Sequence, residues 1–391
     1  MTESKKLFVG HDANRAGAQL VLLHWLRERK AQGLTNYVLL VDGGSLVEEY
    51  KKVAKVWVWR TDHPLWYRVQ QRIPMLRKDG VWDKTPHESK VAAIMASLAS
   101  ESFECIIGNT VSSVSLLREL IPLKVPFEVY VHELSYSIKT FTSEEDRKFM
   151  ATAVRRVYAV SGLVKTVLAT EVGIDAAKID LLPPIIELPE ATNNTQDPVR
   201  ANLGIPMDSP IVFSCGLAEW RKGPDVFLEV AKQLIAKMPT VHFIWLGILD
   251  NEYSKELVSS KEAWDVNNQV HMLPVCSDSR PYFEAMNVFF LSSREDPFPL
   301  VMLEAAHVGR PIVGVRASGG VNDFLAGLDD LLVETWDVDG FVERIEALLA
   351  LDSAKQAAFQ QELKKRAVNY SAALFMDRWS ALHSNEPGKT R

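Results

Sequence analysis

Asp296 and Glu304 stand with seven uncharged residues between them, Pro297 to Leu303. Pro299, Leu300 and Val301 open a helical pattern that stops at Gly309, so unpaired backbone N–H groups and the positive end of the helix dipole point at the loop before it. Such a place suits a phosphate. The flanking carboxylates repel phosphate but accept hydrogen bonds from hydroxyls, which makes a phosphorylated polyol such as a nucleotide sugar the natural ligand. The plainer reading is an acidic approach to an ordinary helix. Upstream, in GLAEWRKGPDVFLEVA (216–231), a strand ends at Gly216, a short loop carries Arg221 and Lys222, and Gly223 and Pro224 lead into a second helix. Two cations at a helix N-terminus oppose its dipole unless an anion binds there. Without the anion they are a solvated basic turn.

Three weaker places follow. In LFVGHDANRAGAQLVLLHWL a strand enters a loop with Asn14, Arg15 and Gly17 before an apolar helix, and Gly17 lacks the side chain that would keep a phosphate from the backbone. In YVHELSYSIKTF a strand ends at His132 and Glu133; a histidine there is either structural or functional. Gly319 and Gly320 precede a helix, as a close backbone approach or a plain turn. Asp337 and Asp339 imitate a metal-binding Asp-x-Asp, but they precede a helical pattern near Gly340 and read as caps. No other cluster has metal-ligand spacing, and the absence of G-x-G-x-x-G, Walker and G-x-S-x-G elements counts against dehydrogenase, P-loop and serine-hydrolase chemistry.

DPFPLVMLEA resembles the E-x7-E element of the retaining family 4 glycosyltransferases, which have the two-domain GT-B architecture. The resemblance implies that Glu304 holds the nucleotide ribose, that Asp296 reaches the donor sugar, and that the backbone of Phe298, Pro299, Leu300 and Val301 receives the diphosphate. The first acid here is Asp, with Glu295 just before it, so either carboxylate is a candidate for the sugar. The family's G-R-L-x-x-x-K-G loop is matched at Gly216, Lys222 and Gly223, while its arginine position is Leu217 and an arginine stands instead at 221. The same resemblance sets His132 against the donor sugar, and the loop of Gly17 over the diphosphate near the acceptor.

These residues need strands that end at them. Apolar runs at 7–10, 37–41, 56–59, 105–108, 127–132 and 157–161, and again at 211–216, 241–247, 270–273, 288–293, 311–315 and 331–333, alternate with helical patterns. That alternation predicts two Rossmann-like, doubly wound parallel-sheet domains, facing a central cleft. The break at Pro183 to Val199 separates a domain over 1–185 from one over 186–370, and 371–391 supplies a last helix that crosses back in GT-B proteins, then a tail. A chain of 391 residues is comfortable as two domains. Its 47% hydrophobic content excludes general disorder, and a net charge of −6 argues against nonspecific nucleic-acid binding. Cys105, Cys215 and Cys276 are expected as buried free thiols in a reducing compartment. MTESKK leads straight into a strand without a signal-peptide hydrophobic region, and no stretch is long enough to span a bilayer, so the expectation is a cytoplasmic protein, or one peripheral at the membrane. Lys51 to Lys90 carries ten Lys or Arg against four Asp or Glu, with Trp57, Trp59, Trp66, Tyr67 and Trp82. That stretch is either a solvated face or a peripheral membrane or anionic-acceptor surface.

The expectation is a metal-independent, retaining glycosyltransferase. It would use a nucleoside diphosphate sugar as donor substrate, no further cofactor, and a glycan, a lipid-linked glycan or a small molecule as acceptor. A nucleotide-sugar epimerase of the same fold and a noncatalytic nucleotide-sugar binding protein are the alternatives, the latter favoured by Asp at 296.

Overall fold

The computed structural model describes residues 5–60, 86–187 and 197–384. Chain contacts divide it into two compact units, Met1–Ala159 with Val167–Asp180, and Val160–Thr166 with Leu181–Arg391. The predicted break at Pro183 to Val199 lies beside this division, although residues 188–196 are outside the described ones, as is the tail from 385.

The first unit holds a seven-stranded sheet: β1 (Lys6–Gly10), β2 (Tyr37–Leu40), β3 (Lys55–Val58), β4 (Cys105–Asn109), β5 (Phe127–Val131), β6 (Val154–Ala159) and β7 (Ile179–Leu181), in the order β3-β2-β1-β4-β5-β6-β7. The pairings from β3 across to β6 are parallel. β1, β2, β4 and β5 are buried along their whole length, because helices cover both faces of a parallel sheet and no residue of a central strand can be spared for water.

The second unit has six strands: β8 (Ile211–Cys215), β9 (His242–Ile248), β10 (Val270–Pro274), β11 (Val288–Phe290), β12 (Ile312–Val315) and β13 (Leu332–Val333), all parallel in the order β10-β9-β8-β11-β12-β13. Its core is aromatic. Phe213 of β8 meets Phe283 edge to face at 5.1 Å and Phe289 at 5.8 Å, and each such buried ring contributes on the order of 1.5–3 kcal/mol. The closing helix, Ala372–Ser384, counts with this unit and buries Phe375, Met376 and Trp379.

Apart from one-residue shifts at strand ends, three strand assignments differ from the sequence reading; β11 stops at Phe290, three residues short of the apolar run at 288–293. β6 begins at Val154, three residues early, because Arg155 reaches the fully buried carboxylate of Glu128 on β5, so a charged residue sits inside a strand. β7 is a three-residue strand with only Ile179 buried, too short and too polar to register as an apolar run.

In each sheet the strand order reverses once, between β1 and β4 and between β8 and β11. At such a reversal the neighbouring loops diverge and leave a crevice at the carboxyl ends of the strands. The candidate residues collect at these two places.

Candidate active site

In the second unit the crevice is bounded by the loop after β8, residues 216–223, and the loop after β11, residues 291–299. Glycines let the two touch. Gly223 has φ +70°, and a Cβ there would fall 2.2 Å from the Ser292 carbonyl oxygen; the Ser292 hydroxyl in turn donates to Lys222 O at 3.1 Å. Gly216 donates its N–H to Leu246 O at 2.9 Å and accepts from Trp245 Nε1 at 3.2 Å, which anchors the start of the loop to β9.

Across this junction Lys222 Nζ meets Asp296 Oδ2 at 2.5 Å, with the two side chains only 17% and 8% exposed. The Ser293 hydroxyl donates to the same oxygen at 3.3 Å. Lys222 and Asp296 were expected as separate ligands of phosphate and sugar; the fold brings them together as a pair. Arg221 lies beside them with its guanidinium donating to Glu295 O at 3.1 Å and standing 3.8 Å from the Glu219 carboxylate, while its own carbonyl accepts from Arg294 N at 2.8 Å. Arg294, which the sequence reading passed over, clamps Asp225 with two hydrogen bonds of 2.8 and 2.6 Å and stacks over Trp220 at 4.9 Å. Burial works against ionisation of Asp225, yet the Arg294 bonds outweigh it and hold the carboxyl below its ordinary range.

The loop then enters the helix Leu300–Val308, capped by Pro299 without a side-chain hydrogen bond and with no acid in its first turn; Met302 N donates to Pro299 O at 3.1 Å, and the amides of Leu300 and Val301 have no acceptor among the described residues. It ends at Gly309, φ +79°, as the sequence indicated. Gly319 and Gly320 resolve as structural: a Cβ at Gly319 would fall 1.9 Å from Asp296 O, and one at Gly320 2.5 Å from the ring of Phe298. They press the loop into shape, and Asp296 N donates to Ser318 O at 2.7 Å to the same end.

Glu304, one turn into the helix, accepts from the Ser279 hydroxyl at 3.5 Å. Burial pushes its carboxyl up to about 7, a shift that the Ser279 bond only partly offsets. Burial, and then Glu304, push the Cys215 thiol to about 12. Of the three free thiols only Cys105 is fully buried; Cys276 is exposed, a correction to the sequence expectation, because β10 has ended at Pro274 and Cys276 sits in the following loop with Sγ 3.2 Å from Asp278 O.

In the first unit the carboxyl ends of β1, β4 and β5 gather a polar cluster. His11 Nδ1 meets the Thr110 hydroxyl at 3.0 Å, Gln19 Nε2 meets His11 Nε2 at 3.0 Å and Asp12 Oδ1 at 2.6 Å, and His132 Nε2 meets Asn109 Oδ1 at 3.1 Å. Glu133 is a local brace, accepting from the backbone N–H of His132 at 2.9 Å and of Val111 at 3.2 Å. Burial, and next the neighbouring His11, pull His132 down to about 3, so its ring is neutral. Gly17 begins the helix Gly17–Ala31; the loop before it is pressed by Gly44 of the loop after β2, where a Cβ would fall 2.3 Å from the carbonyl carbon of Ala13. His11, Asn109 and Gln19 escaped the sequence reading; the signal for His11 and Asn109 was position at or just after a strand end, and Gln19 is a polar residue in the first turn of an apolar helix.

Of the basic, aromatic stretch Lys51 to Lys90, residues 61–85, with Trp66, Tyr67 and Trp82, lie outside the described ones. Trp57 stacks on Tyr37 at 6.2 Å beneath Lys55. No helix among the described residues is long and apolar enough to cross a membrane. Among them no three His, Cys, Asp or Glu side chains gather as a metal site, and Asp337 caps the helix Val338–Leu349 by accepting from Asp339 N at 3.3 Å.

Residues 195–367 match the family model described as glycosyl transferases group 1. Among curated proteins the chain is 29% identical over 188 residues to the lipopolysaccharide core biosynthesis glycosyltransferase LpsE of Rhizobium meliloti, covering 48% of this chain and 54% of that protein. It is 26% identical over 231 residues to D-inositol 3-phosphate glycosyltransferase 1 of Catenulispora acidiphila, covering 56% and 55%. The chain thus spans about half the length of the curated relatives it matches. Among solved structures it superposes on Anabaena HepE in complex with UDP-glucose with a TM-score of 0.78 at 18% identity, covering 98% of this chain and 100% of the other. A glycosyltransferase from Rickettsia africae gives 0.78 at 14% identity, covering 99% and 100%. Two parallel-sheet domains with these neighbours are the GT-B fold, and within it residues 195–367 carry the match to glycosyl transferases group 1.

Proposed function

We propose that the chain is a retaining glycosyltransferase that moves a sugar from a nucleoside diphosphate donor to a hydroxyl of a glycan, a lipid-linked glycan or a small molecule. The carrying observation is the Lys222–Asp296 pair at 2.5 Å across the β8/β11 reversal, beside the unfilled amides of Leu300 and Val301 and one turn from Glu304. A departing diphosphate gains negative charge as the bond from the anomeric carbon to phosphate oxygen breaks. Lys222 and the helix N-terminus supply fixed positive charge where that oxygen leaves, the type of preorganised stabilisation that dominates many enzymes. Arg221 adds charge at longer reach. Because these groups neutralise the leaving group, we propose that no metal ion is needed.

Glu304 is assigned to the ribose hydroxyls and Asp296, with Glu295 as the second candidate, to the sugar. On the family resemblance alone, His132 is also assigned to the sugar. The acceptor oxygen attacks the face that the diphosphate leaves, and its proton passes to the leaving phosphate oxygen, so configuration is retained. The glycosyltransferase names of the relatives support the reaction class, LpsE favours a glycan or lipid-linked glycan acceptor, and HepE puts uridine sugars first as donors.

The test is thermal stabilisation by UDP, GDP, ADP and their sugars, with magnesium and with a chelator. A ligand at 100 times its Kd adds about 2.7 kcal/mol. Stabilisation by one base, unchanged by the chelator, supports the reading; no stabilisation by any of them rejects it. An isomerised donor formed without acceptor would point to an epimerase, and binding without turnover across acceptors to a binding protein.

A further inference from the structure

Asn109 is the last residue of β4 and 2% exposed. Its amide orientation follows from its partners. Nδ2 stands 3.1 Å from Ala18 O, and a backbone carbonyl only accepts, so the NH2 must face Ala18 and the carbonyl oxygen Oδ1 must face His132. That oxygen, 3.1 Å from His132 Nε2, only accepts in its turn. The imidazole proton therefore sits on Nε2. Nδ1 is then a lone pair, and no group among the described residues bonds to it.

The neighbouring histidine is fixed by the same logic. Asp12 Oδ1 orients the NH2 of Gln19, which donates to His11 Nε2, so His11 carries its proton on Nδ1 and gives it to the Thr110 hydroxyl. The groups packed around His132 are thus a neutral imidazole at His11, the amide of Asn109, the ring of Tyr130 at 4.1 Å, and Glu133, whose carboxylate is taken up by backbone N–H groups. Asp12 lies beyond His11 and is held by Gln19 and Asn14.

We infer that Asn109 is a positioning residue that locks His132 in the Nε2–H tautomer, so that His132 offers only an acceptor and recognises a sugar hydroxyl rather than an anion. The sugar rests on the glycosyltransferase reading; the lock does not. A histidine that met the diphosphate would need a proton on its free nitrogen, and this one has none to give there.

The experiment is long-range ¹H–¹⁵N NMR of the full chain labelled on histidine nitrogen, with His132 assigned through His132→Gln. Across pH 5 to 8 the parent should show one neutral Nε2–H tautomer. Asn109→Leu removes the acceptor and should give mixed tautomers. Asn109→Asp puts a carboxylate beside Nε2 and should raise the His132 pKa by on the order of 1–3 units, visible as an imidazolium fraction at the acid end and a matching inflection in the rate of UDP-glucose consumption. Asn109→Ala, which also removes the acceptor, should give mixed tautomers too and stands in if the leucine variant fails to melt cooperatively. An Nδ1–H tautomer in the parent, or an unchanged single tautomer in Asn109→Leu, overturns the lock. Saturating UDP-glucose should shift the Nδ1 resonance; a bound donor that leaves Nδ1 unmoved while the lock holds rejects the sugar contact and nothing else.

Discussion

The two strand-order reversals of this protein are the same piece of architecture carrying opposite chemistry. At β8/β11 the loops meet through charge: Lys222 on Asp296, Arg294 on Asp225, a helix end facing outward. At β1/β4 they meet mainly through neutral groups, His11 with Thr110 and Gln19 and His132 with Asn109, with the Asp12 carboxylate held by Gln19 and Asn14. A parallel sheet supplies a crevice at its reversal and leaves the ligand open. The loop residues decide it, and under the proposed function one crevice would take the phosphorylated group and the other the sugar hydroxyls.

The sharpest way to break this contrast is at Lys222. Lys222→Ala should lower turnover roughly 10² to 10³ if the ammonium stabilises the leaving group as an oxyanion donor does, with Lys222→Arg intermediate; steady-state kinetics with unchanged turnover would remove Lys222 from the reaction. Next is Gly223, which lets the two charged loops touch. Gly223→Ala sets a methyl 2.2 Å from a carbonyl oxygen at φ +70° and should cost on the order of 1–3 kcal/mol in chemical denaturation, whereas the same change at Gly33, with open space around it, carries only the penalty of its left-handed φ and should cost less.

Glu304 tests whether a buried acid belongs to the charged side of the comparison. Its folded pKa of about 7 lies above the reference 4.5, so its contribution to stability is intact below about pH 4.5 and is lost as pH rises through about 7. Glu304→Gln, neutral throughout, should therefore gain on the parent between pH 5 and 8, by on the order of 1–3 kcal/mol at the alkaline end. It should also weaken binding of the free nucleoside diphosphate and flatten the pH dependence of that binding, measured by calorimetry. Equal affinities would reject the ribose role. The smallest effect belongs to Asp225→Asn. Its carboxylate is 42% exposed, so losing the Arg294 pair should cost under about 1 kcal/mol, and less at high salt.

What could be read from the residues alone follows sequence distance. The two sheets, the helix stop at Gly309 and the eight-residue step from Asp296 to Glu304 are local patterns, and they appear in the fold where the pattern put them. Lys222 and Asp296 each carried a local signal, but their pairing spans 74 residues and depends on two loops converging at a strand reversal, which no window along the chain contains. The orientation of Asn109 is further from reach. It takes Ala18, β4 and β5 to set it, and an asparagine at the end of an apolar strand looks like any strand terminus. Glu128 and Arg155 make the same point in the core: each reads as a surface residue until the sheet puts one against the other.

The bridge between Lys222 and Asp296 bears on turnover as well as on binding. If Lys222 meets the diphosphate as proposed, an incoming diphosphate would displace the Asp296 carboxylate and a departing one would be replaced by it. Asp296 would then act as a tethered competitor that limits product inhibition. An Asp296→Asn enzyme would then hold its spent nucleotide longer than the parent does, trading release for grip.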